Sequence, residues 1–124
     1  MKKFILITGG AGFIGSNLIK YLLKKNKGNI ISIDNYSSGS KKNHIKNKNV
    51  KYIKGENLNI SKILEKYRNK IKVIYHFGEF SRIYQSFQNF HKCFDSNSIG
   101  SKEVFKFCLE NKIKIIYSAT SASL

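Results

Sequence analysis

Short apolar runs separated by polar segments mark the strands of this chain. The first run, KFILIT, ends at a glycine and is typical of a parallel strand covered on both faces. The later runs are also short and mainly apolar, except that VKYIKG alternates between apolar and polar positions. The sequence predicts strands at 3–8, 29–34, 50–55, 72–78 and 112–121.

Segments between these runs carry apolar residues at helical spacing. The first predicted helix extends from Gly12 to Lys25, and Gly28 marks its end. The second covers 59–70, and the third covers roughly 95–111 with its apolar face inward. The apolar positions that define the helices are Phe13, Ile14, Leu18, Ile19, Leu22 and Leu23, then Ile60, Ile63, Leu64 and Tyr67, then Ile99, Val104, Phe107 and Cys108.

The alternation of strands and helices predicts a mostly parallel sheet with right-handed crossovers. The connection at 35–49 is polar and rich in turn formers, so we expect a loop with room for one helical turn. No proline, internal repeat or linker divides the chain, which indicates one domain over residues 1–124. We expect a Rossmann-type doubly wound α/β sheet with strand order 3-2-1-4-5 and a crevice beside the first strand.

Composition places the chain among globular proteins. It has 124 residues, of which 41% are hydrophobic and 24% are charged. No apolar run approaches the roughly 20 residues of a membrane helix, and MKKFILITGG lacks the core and cleavage site of a signal peptide. We therefore expect a cytoplasmic protein. The spacing of Cys93 and Cys108 fits no redox or zinc motif, so we expect free thiols and no metal site.

The net charge of +16 raises the question of nucleic-acid binding. The excess is almost all lysine, since Arg68 and Arg82 are the only arginines, and base readout favours arginine. The lysines are scattered among asparagine and isoleucine, which is typical of solvated faces. A basic nucleic-acid-binding protein is therefore the weakest of the alternatives, although the charge can attract an anionic substrate.

The stretch ITGGAGFIGSNL joins the first predicted strand to the first predicted helix. Gly10, Gly12 and Gly15 match G-x-G-x-x-G, while Gly9, Gly12 and Gly15 match G-x-x-G-x-x-G. In either pattern one glycine turns the strand, one lets the backbone approach a pyrophosphate, and one lets the helix pack on the sheet. The helix N-terminus then presents N–H groups to the phosphates. A P-loop is excluded because no lysine follows Gly15.

An acid stands where a dinucleotide-binding fold needs one. Asp34 ends the second predicted strand, 19 positions (34 − 15) beyond Gly15, where a carboxylate can accept hydrogen bonds from the adenosine ribose. A carboxylate there also repels a 2′-phosphate, which favours NAD over NADP. Lys41 and Lys42 follow closely and keep NADP open as an alternative.

These residues resemble the extended short-chain dehydrogenases/reductases, the NAD-dependent sugar-nucleotide epimerases and dehydratases. TGGAGFIGSNL is similar to the cofactor loop of that family, and DNYSSGS to its turn beside the adenosine. VIYHFGEFS resembles the fourth strand and its turn, DSNSIGS an N-x-x-G-[ST] helix segment, and IIYSATSAS a fifth strand that ends in serines and threonines. The resemblance covers essentially the whole chain.

The resemblance implies roles for individual residues. Backbone around the pyrophosphate would come from Gly9, Gly12, Phe13, Ile14 and Gly15. The adenosine ribose would face Asp34 and Asn35, with Ser37, Ser38 and Gly39 nearby. The middle of the cofactor and the path toward the sugar would be lined by Phe77, Gly78, Glu79, Ser81 and, from the following helix, Asn97. Thr120 aligns with the catalytic Ser/Thr, and Ser118 and Ser121 are alternatives.

The chain departs from the family pattern at three places. GENL replaces the usual Asp-hydrophobe pair, so Glu56 or Asn57 must contact the adenine instead. Glu79 puts a carboxylate near the phosphates, and we expect it to point away from them. No catalytic Y-x-x-x-K pair follows Thr120, and the substrate lobe is missing too. Tyr21 and Lys25 have the right spacing, but they lie on the first helix, away from the nicotinamide, and are not expected to be the catalytic pair.

The resemblance therefore implies the N-terminal, cofactor-binding part of a nucleotide-sugar epimerase or dehydratase, with a sheet that is incomplete at its C-terminus. A UDP-sugar 4-epimerase, such as UDP-glucose 4-epimerase, is the preferred activity, with NAD as cofactor and a nucleotide sugar as substrate. A non-catalytic NAD-binding module or subunit is the alternative. Apolar surface left by the missing lobe makes a homodimer a further expectation.

Overall fold

A computed structural model of the chain describes residues 3–37, 39–77 and 100–117. Its strands are β1 (Phe4–Thr8), β2 (Asn29–Asp34), β3 (Val50–Lys54), β4 (Ile71–His76) and β5 (Lys114–Tyr117). All neighbouring pairs are parallel, and the order across the sheet is β3-β2-β1-β4-β5. The predicted fold class and strand order are confirmed.

The central position of β1 explains its composition. Residues Ile5 to Thr8 are all buried, because β2 and β4 flank the strand and layers of helix cover both faces. Phe4 is in register with Asn29 on one side and Ile71 on the other. The carboxyl ends of β1, β2 and β4 consequently meet at one edge of the sheet, which is where ligands bind in such folds.

Three helices are present among the described residues. Helix α1 (Phe13–Lys24) and helix α3 (Ser101–Asn111) agree with the first and third predicted helices. The beginning of the third predicted helix, residues 95–99 including Ile99, lies outside the described residues. Helix α2 (Ile60–Ile63) has only four residues and is flanked by 3-10 turns at Asn57–Asn59 and Glu65–Tyr67. The prediction of a continuous helix over 59–70 is wrong.

Tertiary packing accounts for the interrupted second helix. Ile60 and Leu64 are fully buried against the sheet, as the periodicity predicted. Beyond them the backbone tightens, and Tyr67 N donates to Leu64 O at 2.9 Å. The ring of Tyr67 then contacts that of Phe4 edge to face, with centroids 5.2 Å apart. This aromatic contact joins the 3-10 turn to the start of β1.

The sheet separates two apolar cores. On one face Leu6, Ile31 and Ile74 pack with α2 and α3, and Val104, Phe107 and Cys108 are buried as predicted. On the other face Ile5, Ile7 and Ile30 pack with Ile19 and Leu22 of α1. Two covered faces make this a doubly wound sheet.

Several helices and strands begin or end at residues other than those predicted. The last turn of α1 is followed by Asn26 at φ 52° and Gly28 at φ 120°, which bend the chain into β2. The loop after β2 does contain one 3-10 turn, at Lys41–Asn43. Lys112, predicted to begin the fifth strand, instead ends α3 with φ 54°, and residues 118–121 lie outside the described part. Within the ranges 3–37, 39–77 and 100–117, no helix combines the length and apolar character that crossing a membrane requires.

Candidate cofactor-binding site

The glycine loop turns sharply at the end of β1. Gly9 has φ 77°, a conformation that L side chains rarely adopt, so glycine is needed there. Its N–H donates to Ile33 O at 2.7 Å and its carbonyl accepts from Gly12 N at 3.1 Å. These bonds fix the loop against the end of β2.

Close packing explains two further glycines. A Cβ atom on Gly15 would collide with the carbonyl oxygen of Gly9 and lie 2.9 Å from the Cα atom of Gly10. A Cβ atom on Gly10 would collide with the side chain of Ser32. Helix α1 and strand β2 can therefore approach the loop only because these positions lack side chains.

Gly12 differs from its neighbours because it has open space in front of it. The nearest atom to a Cβ there would be Gly9 O at 3.4 Å, and the backbone is extended with φ −84°. The turn, the open approach and the close packing thus fall on Gly9, Gly12 and Gly15. This assignment favours the G-x-x-G-x-x-G pattern, with Gly10 as an additional packing glycine.

The N-terminus of α1 is left open to an anion. Gly12 is the N-cap and has no side chain with which to cap the helix, and the first turn of the helix contains no acid. The side chain of Phe13 is 82% exposed and that of Ile14 is also exposed, so neither belongs to the core that their spacing suggested. The free N–H groups and partial positive charge of this helix end can therefore stabilise a phosphate.

The carboxylate of Asp34 links the end of β2 to the glycine loop. Its Oδ2 accepts a hydrogen bond from Ala11 N at 3.0 Å, and its Oδ1 accepts one from Tyr36 N at 2.7 Å. Within the described part of the chain each oxygen accepts one hydrogen bond, which leaves it a second lone pair there, and the residue is only half-buried. Asp34 can therefore accept hydrogen bonds from ribose hydroxyls while it holds both loops.

Three residues of the polar loop after β2 surround Ala11. Its carbonyl oxygen accepts from Ser40 N at 3.0 Å and from Asn43 Nδ2 at 2.7 Å. A Cβ on Gly39 would lie 2.9 Å from Ala11 O and from Asp34 Oδ2, so that glycine permits a close approach. The contribution of Asn43 was missed from the sequence, because a loop with several asparagines gives no signal for one of them.

The two candidates for the adenine contact separate in the structure. Glu56 is exposed, and its Oε2 accepts a hydrogen bond from Asn35 Nδ2 at 3.0 Å. Asn57 is buried and lines the groove described below. Glu56 therefore orients Asn35, whereas Asn57 faces the space that a ligand would enter.

A buried polar chain lies behind the site. Thr8 Oγ1 is 2.6 Å from Nδ1 of His76, whose Nε2 is 2.9 Å from Ser101 Oγ. Phe77 N donates to Thr8 Oγ1 at 2.9 Å, which fixes the backbone where β4 leaves the sheet. His76 is 1% exposed, and burial lowers its pKa to about 4, so the imidazole is neutral at pH 7. Sequence reasoning gave His76 no role.

A groove of about 370 Å³, open to solvent, occupies the carboxyl edge of the sheet. Ten residues line it, and eight of them were predicted from the sequence: Gly9, Gly12, Asp34, Asn35, Ser37, Gly39, Asn57 and Phe77. The other two are Ile33 and Gly55.

Other predicted residues stand beside or beyond this groove. Phe13, Ile14 and Gly15 form the adjoining first turn of α1, and Glu56 contacts Asn35. The remaining predicted residues lie outside the described residues: Ser38, Gly78, Glu79, Ser81, Asn97, Ser118, Thr120 and Ser121. Within the described ranges, no three His, Cys, Asp or Glu side chains gather as a metal site would require.

A family model matches nearly the whole chain. The model of the NAD dependent epimerase/dehydratase family matches residues 5–124. The chain belongs to this family. The resemblance identified from its motifs is thereby confirmed, and NAD is the cofactor for which the family is named.

Solved structures of epimerases share this fold. An epimerase from Methanothermobacter thermautotrophicus is 28% identical with a TM-score of 0.85 over 97% of this chain. UDP-glucose 4-epimerase from Thermotoga maritima, solved with UDP-glucose, is 27% identical with a TM-score of 0.82 over 94%. UDP-N-acetylglucosamine 4-epimerase from Methanobrevibacter ruminantium M1, solved with UDP-N-acetylmuramic acid, is 29% identical with a TM-score of 0.82 over 98%. The chain spans only 36%, 38% and 39% of these three proteins.

Proposed function

We propose that residues 1–124 form the NAD-binding part of a nucleotide-sugar epimerase, with a UDP-sugar 4-epimerase such as UDP-glucose 4-epimerase as the preferred activity. One observation carries the proposal: Asp34 and an uncapped helix N-terminus flank a single groove. An adenosine ribose and a pyrophosphate need these two features side by side. The family membership and the UDP-sugar 4-epimerases of similar fold support the same activity.

The residues present fit a dinucleotide. The open space at Gly12 is a cradle that a side chain would fill, which suits the close approach of a pyrophosphate. Backbone N–H groups of the first turn of α1 would donate to its phosphates. Asp34 would accept from the ribose hydroxyls, and Asn57 would offer an amide to the adenine ring.

The carboxylate at Asp34 also supports NAD over NADP. A 2′-phosphate would bring negative charge against Asp34, and both carboxylate oxygens already accept backbone hydrogen bonds. Lys41 and Lys42 lie in an exposed 3-10 turn, so their charges are screened by solvent. NADP therefore remains the weaker alternative.

The bound nicotinamide would accept and return a hydride during epimerisation. The contribution of this part of the chain is to hold the cofactor in place and orient it, which lowers the entropic cost of the reaction. We also propose Thr120, with Ser118 and Ser121 as alternatives, as the hydroxyl that contacts the sugar, and Gly78, Glu79, Ser81 and Asn97 as further cofactor residues. The catalytic tyrosine and lysine do not occur as a pair after Thr120 in these residues.

Calorimetry with NAD tests the cofactor assignment. We expect saturable NAD binding by the protein and its loss in Gly12→Val, because the side chain would fill the pyrophosphate cradle. Equal NAD affinities of the unaltered protein and Gly12→Val would refute the proposed site. Conversion of UDP-glucose to UDP-galactose by the whole protein tests the activity, and NAD binding without epimerisation of any UDP-sugar would favour the non-catalytic module.

We also propose a cytoplasmic homodimer. Four large apolar side chains of α3 and β5 are exposed, at Phe105, Leu109, Ile116 and Tyr117. The Phe105 and Tyr117 rings contact each other edge to face, with centroids 5.3 Å apart, and exposed apolar side chains of this kind are often covered by another chain. Light scattering coupled to gel filtration measures the mass in solution, and a monomer at micromolar concentration would refute the dimer.

A further inference from the structure

Three side chains after β2 form a connected cluster, which we term the Tyr36 clamp: Tyr36, His44 and Tyr52. The Tyr36 hydroxyl lies 2.7 Å from His44 Nε2. The His44 ring stacks on Tyr52, with centroids 3.8 Å apart and planes 10° from parallel. Because Tyr52 belongs to β3 and is in register with Ser32 of β2, the cluster fastens the loop to the sheet.

Tyr52 holds the same loop a second time. Its hydroxyl oxygen accepts a hydrogen bond from Ile45 N at 3.0 Å. The backbone just after His44 is therefore fixed by the residue on which the His44 ring stacks. The ring stacking and the Ile45 hydrogen bond, both made with Tyr52, fix the position of His44. The Tyr36 hydroxyl therefore has a partner whose position is fixed.

The backbone of Tyr36 indicates that its side chain is needed. Its φ of 62° lies in the left-handed region, which glycine, asparagine and aspartate adopt far more readily than tyrosine. Its N–H donates to Asp34 Oδ1 at 2.7 Å, while its hydroxyl contacts His44 at the other end. Tyr36 is thus held at both ends in a conformation that its backbone alone would not favour.

Asp34 is the residue on which this arrangement acts. One carboxylate oxygen is fixed by Tyr36 N and the other by Ala11 N of the glycine loop. Burial and the nearby Asp34 carboxylate raise the pKa of Tyr36, so its phenol keeps its proton and remains available for the hydrogen bond. Loss of the Tyr36 hydroxyl contact would free the turn that fixes one of the two oxygens.

We propose that Tyr36 and His44 are positioning residues that orient Asp34 toward the ribose of an adenine nucleotide. The proposal rests on the proposed NAD site and deepens it, since it names two residues outside the lining of the groove. Such residues act before the ligand arrives, by pre-organising the acceptor. Loss of Tyr36 or His44 should therefore lower the affinity for any ligand that has an adenosine ribose, and only when Asp34 is present.

Binding of NAD and of AMP to single and double variants tests this dependence. We expect Tyr36→Phe and His44→Phe to weaken both ligands roughly fivefold, the effect of one lost hydrogen bond. The phenylalanine at 44 keeps a ring to stack on Tyr52. In an Asp34→Ala background, Tyr36→Phe should cause no further loss. The matched control is Tyr21→Phe, at an exposed tyrosine of α1, which should bind NAD and AMP as the unaltered protein does.

Amide hydrogen exchange without any nucleotide provides a second measurement. Both clamp variants should exchange the N–H groups of Ala11 and Tyr36 several-fold faster, whereas Tyr21→Phe should not. NAD binding that is insensitive to Tyr36→Phe, or equal losses with and without Asp34, would overturn the clamp and leave the proposed function intact. Absence of NAD binding by the unaltered protein would overturn the proposed function and this proposal together.

Discussion

The carboxylate of Asp34 accepts a hydrogen bond from the backbone N–H of Ala11 at 3.0 Å. The acid that ends β2 thereby fastens the loop that follows β1, across the carboxyl edge of the sheet. The same side chain has a lone pair left on each oxygen for a ribose. One residue can consequently shape the phosphate cradle and contact the nucleotide, so changes at Asp34 should affect both halves of the site.

Asp34→Ala should weaken NAD binding by roughly 10- to 100-fold, which is typical of a lost hydrogen bond to a charged group. NADP binding should fall less, or rise, because the substitution also removes repulsion of the 2′-phosphate. Calorimetric titration with each nucleotide gives the two affinities. Glu110→Ala, at an exposed acid of α3, is the control and should leave both affinities unchanged. Equal affinities of Asp34→Ala and the unaltered protein for NAD and NADP would rule out Asp34 as the ribose acid.

Alanine substitution at two glycines of the same loop should affect stability to very different extents. Gly15→Ala would push a methyl group into Gly9 O, and such overpacking typically costs about 1–3 kcal/mol of unfolding free energy. Gly12→Ala meets only an ordinary contact at 3.4 Å, so its unfolding free energy should change by less than about 1 kcal/mol. Urea unfolding of both variants provides the comparison. The packing assignment fails if Gly12→Ala proves the less stable of the two.

The fold was predictable because local patterns and global topology agree. Strand order followed from alternating strands and helices, and the glycine loop followed from its position between β1 and α1. Buried positions such as Ile19, Val104 and Phe107 followed from helical spacing. Each of these signals is contained within a few residues of sequence, so no tertiary contact had to be known in advance.

Contacts between distant residues were not predictable. His76 meets Thr8 across 68 positions of sequence and Ser101 across 25, and nothing in its neighbours indicates either partner. The contact of Tyr67 with Phe4, 63 positions away in sequence (67 − 4), likewise forms only in the folded sheet. The exposure of Phe13 and Ile14 likewise could not be read from helical spacing, which places them with the apolar residues of α1.

Cys108 should be poorly reactive in the folded protein. It is buried between α3 and the sheet, and burial raises the pKa of its thiol to about 11. Only the thiolate reacts, so at pH 8 its fraction should be about a hundredfold below that of an ordinary cysteine. A disulfide reagent applied to Cys93→Ser, which leaves Cys108 as the sole cysteine, measures the rate. The rate should rise to that of a free thiol in 8 M urea, and an equally fast reaction without urea would contradict the burial.

Acid should destabilise the protein through His76. Burial lowers its pKa in the folded state to about 4, whereas an unfolded histidine titrates near 6.5. Between these values the unfolded chain binds the additional proton, so the unfolding free energy decreases as the pH falls from about 7 toward 4. The loss is complete below the folded pKa and amounts to about 3 kcal/mol at most.

His76→Gln isolates this contribution, since its amide can both donate and accept but does not titrate between pH 4 and 7. Urea unfolding at pH 7, 6, 5 and 4 should show a stability advantage of the unaltered protein that shrinks as the pH falls. Other groups that titrate in both proteins cancel in this difference. A difference that stays constant across the four pH values would mean that His76 gains its proton as readily folded as unfolded, and that the buried chain from Thr8 to Ser101 does not hold it neutral.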